Sequence, residues 1–246
     1  MYNIGYSITR DDQFNVNTNI IQFMFKSIEK DIKFLKKLIQ KYNYKHIFIH
    51  SSFKVNIASD FINDINPSIE IFNKEISAMK KLNIHNIVIH CGNNQIYENQ
   101  HVLNNMKKFI LHALNTNMNI FLETVCKKND MLVNLKDYVN FILSFKNEKN
   151  YGHLYSCIDT CHIFQAGYDL NDDKIIKKIH VMLKPIKKKI TLIHLNNSKY
   201  ACGLNKDYHT VLNKGMIQFD KLINFVFKYK NNCCFILENS TPLSII

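Results

Sequence analysis

The sequence predicts an α/β protein closed into a (β/α)8 barrel, on three observations. Eight short β-branched or aromatic runs recur along the chain, most of them are separated by segments with helical spacing, and six of them end on or carry an imidazole or a carboxylate. Continuous apolar strands alternating with amphipathic helices mark a parallel sheet buried on both faces, and eight such units in about 250 residues mark the TIM-barrel architecture.

The first two strands are NIGYSI at residues 3–8 and IIQFMF at 20–25. Between them TRDDQFNVNTN is too polar and too short for a full covering helix, so the first helical unit is expected to be reduced. HIFIH at 46–50 is the third strand, and the spacing predicts a helix over 67–82, with Asn66 as its cap and Pro67 in the first turn, where a missing N–H costs nothing. NIVIH at 86–90 leads to a helix over 96–114, NIFLE at 119–123 to one over 135–145, and YSCID at 155–159 to one over 173–188. TLIHL at 191–195 precedes a helix over 218–230, and CFILE at 234–238 closes the set. Too few residues follow it for a final helix, so the last unit is also expected to be reduced. With six glycines and three prolines, asparagine makes most of the breaks, and no linker, repeat or low-complexity tract divides the chain. One domain over residues 1–246 is expected.

The formal net charge is +12, which favours a polyanionic partner through counterion release. Abundant lysine, asparagine and isoleucine, with Arg10 as the only arginine, also follow from an AT-rich genome, so charge alone does not assign nucleic acid. Seven cysteines at scattered positions do not form a disulfide framework and suit a reducing compartment. No run reaches the roughly 18 apolar residues of a membrane span, and MYNIGYSITRDDQFN lacks the order of a signal peptide. A soluble, intracellular protein with no membrane partner is expected.

The strand ends carry the chemistry. His50, His90, Glu123, Asp159, His194 and Glu238 each fall at or near the carboxyl end of a predicted strand, and in a barrel those ends converge on one mouth. Taken singly, such residues are ordinary core, loop or cap residues. Recurrence on six of eight strands is different, because an unpaired buried charge costs several kcal/mol, and mixed imidazole and carboxylate sets suit zinc, manganese or iron. The pattern reads as a multinuclear metal centre. In CIDTCHIFQAGYDL, residues 157–170, Asp159 ends a strand and His162 follows as the chain turns outward, so both can face the mouth. Cys157 and Cys161 are read as packing residues, since a thiolate site needs further cysteines at compatible spacing. Asp207 and His209 lie two apart, which in an extended loop points them the same way.

These motifs resemble the endonuclease IV family of zinc-dependent apurinic/apyrimidinic (AP) endonucleases. CIDTCH with AGYDL is similar to its central signature, HLNNSKYACGLNKDYH has the spacing of its HLND-type signature, and IHCGN, NIFLE and FILE follow in the expected order. The resemblance implies a DNA-repair hydrolase acting on double-stranded DNA with abasic sites, and also on blocked 3′ ends, with three Zn2+ per chain. His50, His90 and Glu123 would hold one zinc. Glu123 would bridge to a second, bound by Asp159, His194 and Glu238, and His162, Asp207 and His209 would hold the third. In such enzymes a hydroxide between the first two metals attacks the phosphate and the third metal stabilises the leaving 3′-oxygen. Glu123 or Glu238 could position or deprotonate the water.

Phe53, three residues past His50, matches an aromatic wedge that family members push into the duplex, with simple packing as its other reading. The wedge's arginine partner has no clear equivalent, and Lys30 is the candidate for its place. Asn197 stands where the family has aspartate, Leu204 where it has a small hydroxyl residue and Tyr208 where it has arginine, departures expected to touch DNA contacts rather than metal binding. A sugar isomerase or epimerase on a related barrel would need fewer ligands and no basic face. A binding barrel without activity would have lost ligands, and all nine positions are filled.

Overall fold

A computed structural model describes residues 3–10, 18–59, 67–94 and 99–238. The elements run β1 (Ile4–Ile8), β2 (Ile20–Met24), α1 (Ile28–Lys41), β3 (His46–His50), α2 (Pro67–Lys81), β4 (Asn86–His90), α3 (Asn99–Leu114), β5 (Asn119–Glu123), α4 (Leu135–Leu143), β6 (Leu154–Asp159), α5 (Thr160–Gln165), α6 (Asp173–Leu183), β7 (Ile190–His194), β8 (Asn197–Ser198), β9 (His209–Thr210), α7 (Phe219–Phe227) and β10 (Cys234–Leu237). Eight strands, in the order β1-β10-β7-β6-β5-β4-β3-β2, close into a parallel barrel, and β8 pairs with β9 as a separate antiparallel ribbon. This is the TIM barrel that the strand runs predict.

Each strand is short because its apolar run is short, and each covering helix buries one stripe. In α2, Phe72, Glu75, Ile76 and Met79 recur at three- and four-residue intervals and turn inward. Asn134 begins α4 by accepting from the backbone N–H groups of Lys136 and Asp137. Asp31 is fully buried in α1 and reaches back to the N–H groups of Lys26 and Ser27 at 2.8 and 2.6 Å, while Arg10 pairs with its other oxygen at 2.9 Å.

Several expectations are adjusted. The helix expected over 173–188 stops at Leu183 and continues as a 3-10 turn over Lys184–Lys189, because Pro185 cannot donate to the α-helical ladder. The helices α4 and α7 are likewise shorter than their apolar periodicity. The helix α1 and the short α5 are additional to the helices that the spacing singles out. Asn66, residues 96–98 of the third helical unit and everything past Glu238 lie outside the described residues. Most of the polar linker between β1 and β2, residues 11–17, also lies outside the described residues.

The core divides in two. The larger cluster lies between the strands and the helices, whereas Ile20, Phe48, Val88, Phe121, Cys157, Leu192, Cys234 and Ile236 form their own cluster. Those eight come from seven different barrel strands, so they fill the lumen.

Candidate metal centre

Period-two alternation turns that lumen layer into a site. Two residues beyond Ile20, Phe48, Val88, Phe121, Cys157, Leu192 and Ile236 stand Gln22, His50, His90, Glu123, Asp159, His194 and Glu238, on the same face and, except for Gln22 in the middle of β2, at the carboxyl ends of the strands. An apolar floor therefore carries a polar ring. Register completes it, since β4 and β5 align His90 with Glu123, and β6 and β7 align Asp159 with His194. The second alignment depends on an irregularity at Ser156/Cys157, where Ser156 pairs with Ile190 but Cys157 with Leu192. An unshifted register would set Asp159 opposite Ile193 and spoil the ring.

Glu123 is the hub. Its Oε2 lies 3.1 Å from His50 Nε2 and 3.3 Å from His90 Nε2, and its Oε1 lies 3.0 Å from His194 Nδ1 and 3.3 Å from His162 Nδ1. Asp159 caps α5 by accepting from the His162 N–H at 2.8 Å through Oδ1, which leaves Oδ2 facing the mouth. From the outer loop Asp207 Oδ1 approaches His162 Nε2 at 3.1 Å and His209 Nε2 at 3.3 Å. Their alignment follows from the β8–β9 ribbon. The nine predicted side chains thus meet in three groups, His50/His90/Glu123, Glu123/Asp159/His194/Glu238 and His162/Asp207/His209, each with ligand atoms within 4.8 Å of one another.

The electrostatics follow from crowding. Burial works against charge on Glu123, yet His194, His90 and the hydrogen bonds of His162 and His194 hold its pKa well below the usual carboxylate range. Burial likewise opposes charge on His162, and Asp159, Asp207 and Glu123 outweigh it to raise that imidazole well above its ordinary value. His194 is raised in the same sense against burial, by the carboxylates of Glu123 and Glu238. In Asp207, burial is outweighed by His162 and His209, and the pKa is driven far down.

The donor atoms fit cations. His50 Nδ1 lies 2.8 Å from Ser51 O and His162 Nδ1 2.7 Å from Thr124 O. A carbonyl only accepts, so in both rings Nδ1 carries the hydrogen and Nε2 is the atom left for a metal, the arrangement of ligating histidines. His209 Nε2 is buried without a hydrogen-bond partner, although Asp207 and Asp159 flank it. Cys157 and Cys161 also come within ligand distance of cluster members. Burial pushes the Cys157 thiol up to about 12 and raises Cys161 as well, which keeps both protonated and suits packing.

Phe53 sits at the rim, 70% exposed, its ring 5.6 Å from that of His50 and 5.5 Å from that of His90. It borders a cavity of about 130 Å3 lined also by Lys127, His162 and Asp207. Lys127 Nζ lies 3.3 Å from Asp207 Oδ2. Lys30 is exposed in the first turn of α1. Leu204 and Tyr208 are exposed at 50% and 57%.

Asn197 corrects its expectation. Its side chain is wholly buried, donating to Leu212 O and Ile217 O at 2.6 and 2.7 Å and accepting from Ser198 N and Ile217 N at 2.7 and 3.0 Å. It latches the loop that presents Asp207 and His209 and does not face a ligand. Gly215 makes room for it, since a Cβ there would fall 2.1 Å from the Asn197 amide.

Residues that the strand-end pattern misses hold the ring in place. Asn196 Nδ2 donates to Asp159 Oδ2 at 2.6 Å and Glu238 Oε2 at 2.9 Å, and Gln22 joins Glu238 to His194. Glu75 accepts from Ser51 Oγ and Ser52 N at 2.6 and 2.9 Å and anchors the turn that carries Phe53. For Gln22 the available signal is a lone amide in an apolar strand, two residues beyond Ile20.

Barrel and mouth together define the class: the chain matches the family model of the xylose isomerase-like TIM barrels over residues 11–243. Within that class it belongs to the endonuclease IV family, being 33% identical over 207 residues to the probable endonuclease 4 of Thermosipho africanus, across 80% of this chain and 72% of the relative. The solved endonuclease IV of Thermus thermophilus superposes with a TM-score of 0.74 at 18% identity, covering 96% of this chain and 92% of that one. A D-tagatose 3-epimerase-like protein superposes equally well, at 0.74 and 18%, over 98% and 91%. At such identities the superpositions speak for the fold alone.

Proposed function

We propose that the protein is a DNA-repair phosphodiesterase that cleaves the backbone 5′ to abasic sites with three zinc ions, and that the same centre trims blocked 3′ ends. The observation that carries this reading is the gathering of nine side chains at one mouth into three groups, two of which share Glu123. Bound there, zinc would supply Lewis acidity and lower the pKa of a coordinated water.

The protein's own groups divide the remaining work. A water must lose a proton as its oxygen bonds to phosphorus, and the leaving 3′-oxygen must gain one as its bond breaks. Both oxygens of Glu123 are enclosed by imidazoles, so its role is to hold the groups together. The Glu238 side chain keeps 15% exposure and is the better proton acceptor. Lys127 and Phe53 flank the cavity beside His90 and His162, where a phosphate and an unstacked nucleotide would lie.

The epimerase-like superposition keeps a sugar isomerase as the alternative. The third group, His162/Asp207/His209, speaks against it, because one or two metals suffice around a sugar. Incision of a synthetic duplex bearing one tetrahydrofuran residue decides. Cleavage 5′ to the analogue by zinc-loaded protein, abolished by chelation, is expected; an intact duplex overturns the proposal.

A further inference from the structure

Gln22 is wholly buried in the polar ring, yet it belongs to none of the three groups. Its Nε2 lies 2.7 Å from Glu238 Oε1 and 3.4 Å from Ser7 Oγ, and its Oε1 lies 2.8 Å from His194 Nε2. Amide oxygen and nitrogen are nearly alike in shape, so partners must decide which end faces which.

The decision starts from the backbone. The N–H of Glu238 donates to Asn196 Oδ1 at 3.2 Å, which turns the Asn196 nitrogen toward Glu238 Oε2 and Asp159 Oδ2. Two amides thus converge on the two oxygens of Glu238 as donors, and Gln22 must present its nitrogen to that carboxylate. Its oxygen then faces His194. An amide oxygen only accepts, so His194 Nε2 carries a hydrogen, and the neutral ring keeps its lone pair on Nδ1. Nδ1 faces Glu123 Oε1 at 3.0 Å, Glu238 Oε2 at 3.4 Å and Asp159 Oδ2 at 3.9 Å.

We propose that Gln22 is a positioning residue that holds His194 in the Nε2–H tautomer, so that this ring, unlike His50 and His162, offers Nδ1 to a cation shared with Glu123, Asp159 and Glu238. The inference rests on the metal-centre reading. His50 and His162 take their tautomers from main-chain carbonyls, which no substitution removes. His194 takes its own from a side chain. Outer partners of this kind typically change metal affinity by about 10–100-fold.

The test is long-range 1H–15N correlation on zinc-loaded, histidine-labelled protein, with the His194 signals assigned by their loss in His194→Gln, beside zinc affinity by chelator competition. Wild type is expected to show His194 coordinated through Nδ1, with an exchange-protected Nε2–H. Gln22→Leu removes both ends of the relay; it should lose that protection and weaken one zinc by roughly tenfold or more while the others are retained. Gln22→Glu can still accept from Nε2–H, so it should restore the ring signature although it repels Glu238. Coordination of His194 through Nε2 in wild type overturns the relay alone, as does a Gln22→Leu protein with unchanged ring signals and affinity. If Gln22→Leu does not fold, the wild-type spectrum still decides. A wild type that takes up no zinc overturns the metal reading and the relay with it.

Discussion

The ring of Phe53 lies 5.5 Å from that of His90, although most of the Phe53 side chain is open to solvent. One edge rests on the metal-centre layer and the rest projects from the rim. Phe53→Ala is expected to lower abasic-site incision by about tenfold or more, since base–aromatic stacking contributes roughly 1–3 kcal/mol. Zinc content by elemental analysis should not change. Wild-type incision rates would return Phe53 to ordinary packing on His90.

Asp207 and His209 come from the β8–β9 ribbon and its loop rather than from a barrel strand. Losing them should spare the fold. The Asp207→Ala, His209→Ala double variant is expected to bind about one zinc fewer per chain and to lose at least roughly a hundredfold in incision, equivalent to about 2.7 kcal/mol of leaving-group stabilisation. Circular dichroism checks folding and elemental analysis checks metal. Wild-type metal content with wild-type incision would remove the third site and favour the sugar-isomerase alternative.

Phosphate contacts must come mainly from lysine, with one arginine in the chain and a formal charge of +12. Binding to an abasic duplex should weaken steeply with salt, with the logarithm of affinity falling by about 0.9 per neutralised phosphate for each decade of salt. Fluorescence anisotropy between low and moderate salt measures the slope. A flat response would contradict an electrostatic interface.

His180 offers a pH test away from the mouth. Its ring stacks on Phe225 at 5.1 Å and 17°, and burial, then Lys228 and Lys187, lower its pKa to about 4. The unfolded chain takes up that proton near pH 6.5, before the folded one does. Its contribution to stability is therefore complete above that pH and is lost as pH falls from about 6.5 toward 4. His180→Phe keeps a ring beside Phe225 and cannot take the proton, so its urea midpoint should drop less than wild type's between pH 7 and pH 5. Equal drops would show that His180 does not couple folding to pH.

Much of this molecule is legible in its sequence because the decisive signal has a period of two. His50, His90, Glu123, Asp159 and His194 are each two residues past an apolar lumen residue, and a reader of strand ends finds them without coordinates. Gln22 obeys the same spacing but escapes notice, since an uncharged amide in IIQFM carries no metal signature by itself. Asn197 misleads for another reason. A departure so close to His194 in a site motif suggests an altered DNA contact, and only the loop's return to Leu212 and Ile217 shows an inward latch. The shift at Ser156/Cys157 is equally hidden, because register belongs to a pair of strands and neither strand encodes it alone.

The apolar floor beneath the polar ring makes the barrel a blind well. Phe48, Val88, Phe121 and Leu192 pack across its lower side, which leaves the polar ring facing the mouth. Among the described residues, the cavity that Phe53 lines reaches His90 and His162, so it is a route by which cations, solvent and substrate would share access to the ring. A polyanion lying across that opening would act as a stopper: a metal held in the ring would exchange slowly with the medium, and a chelator would have to wait for the polyanion to leave.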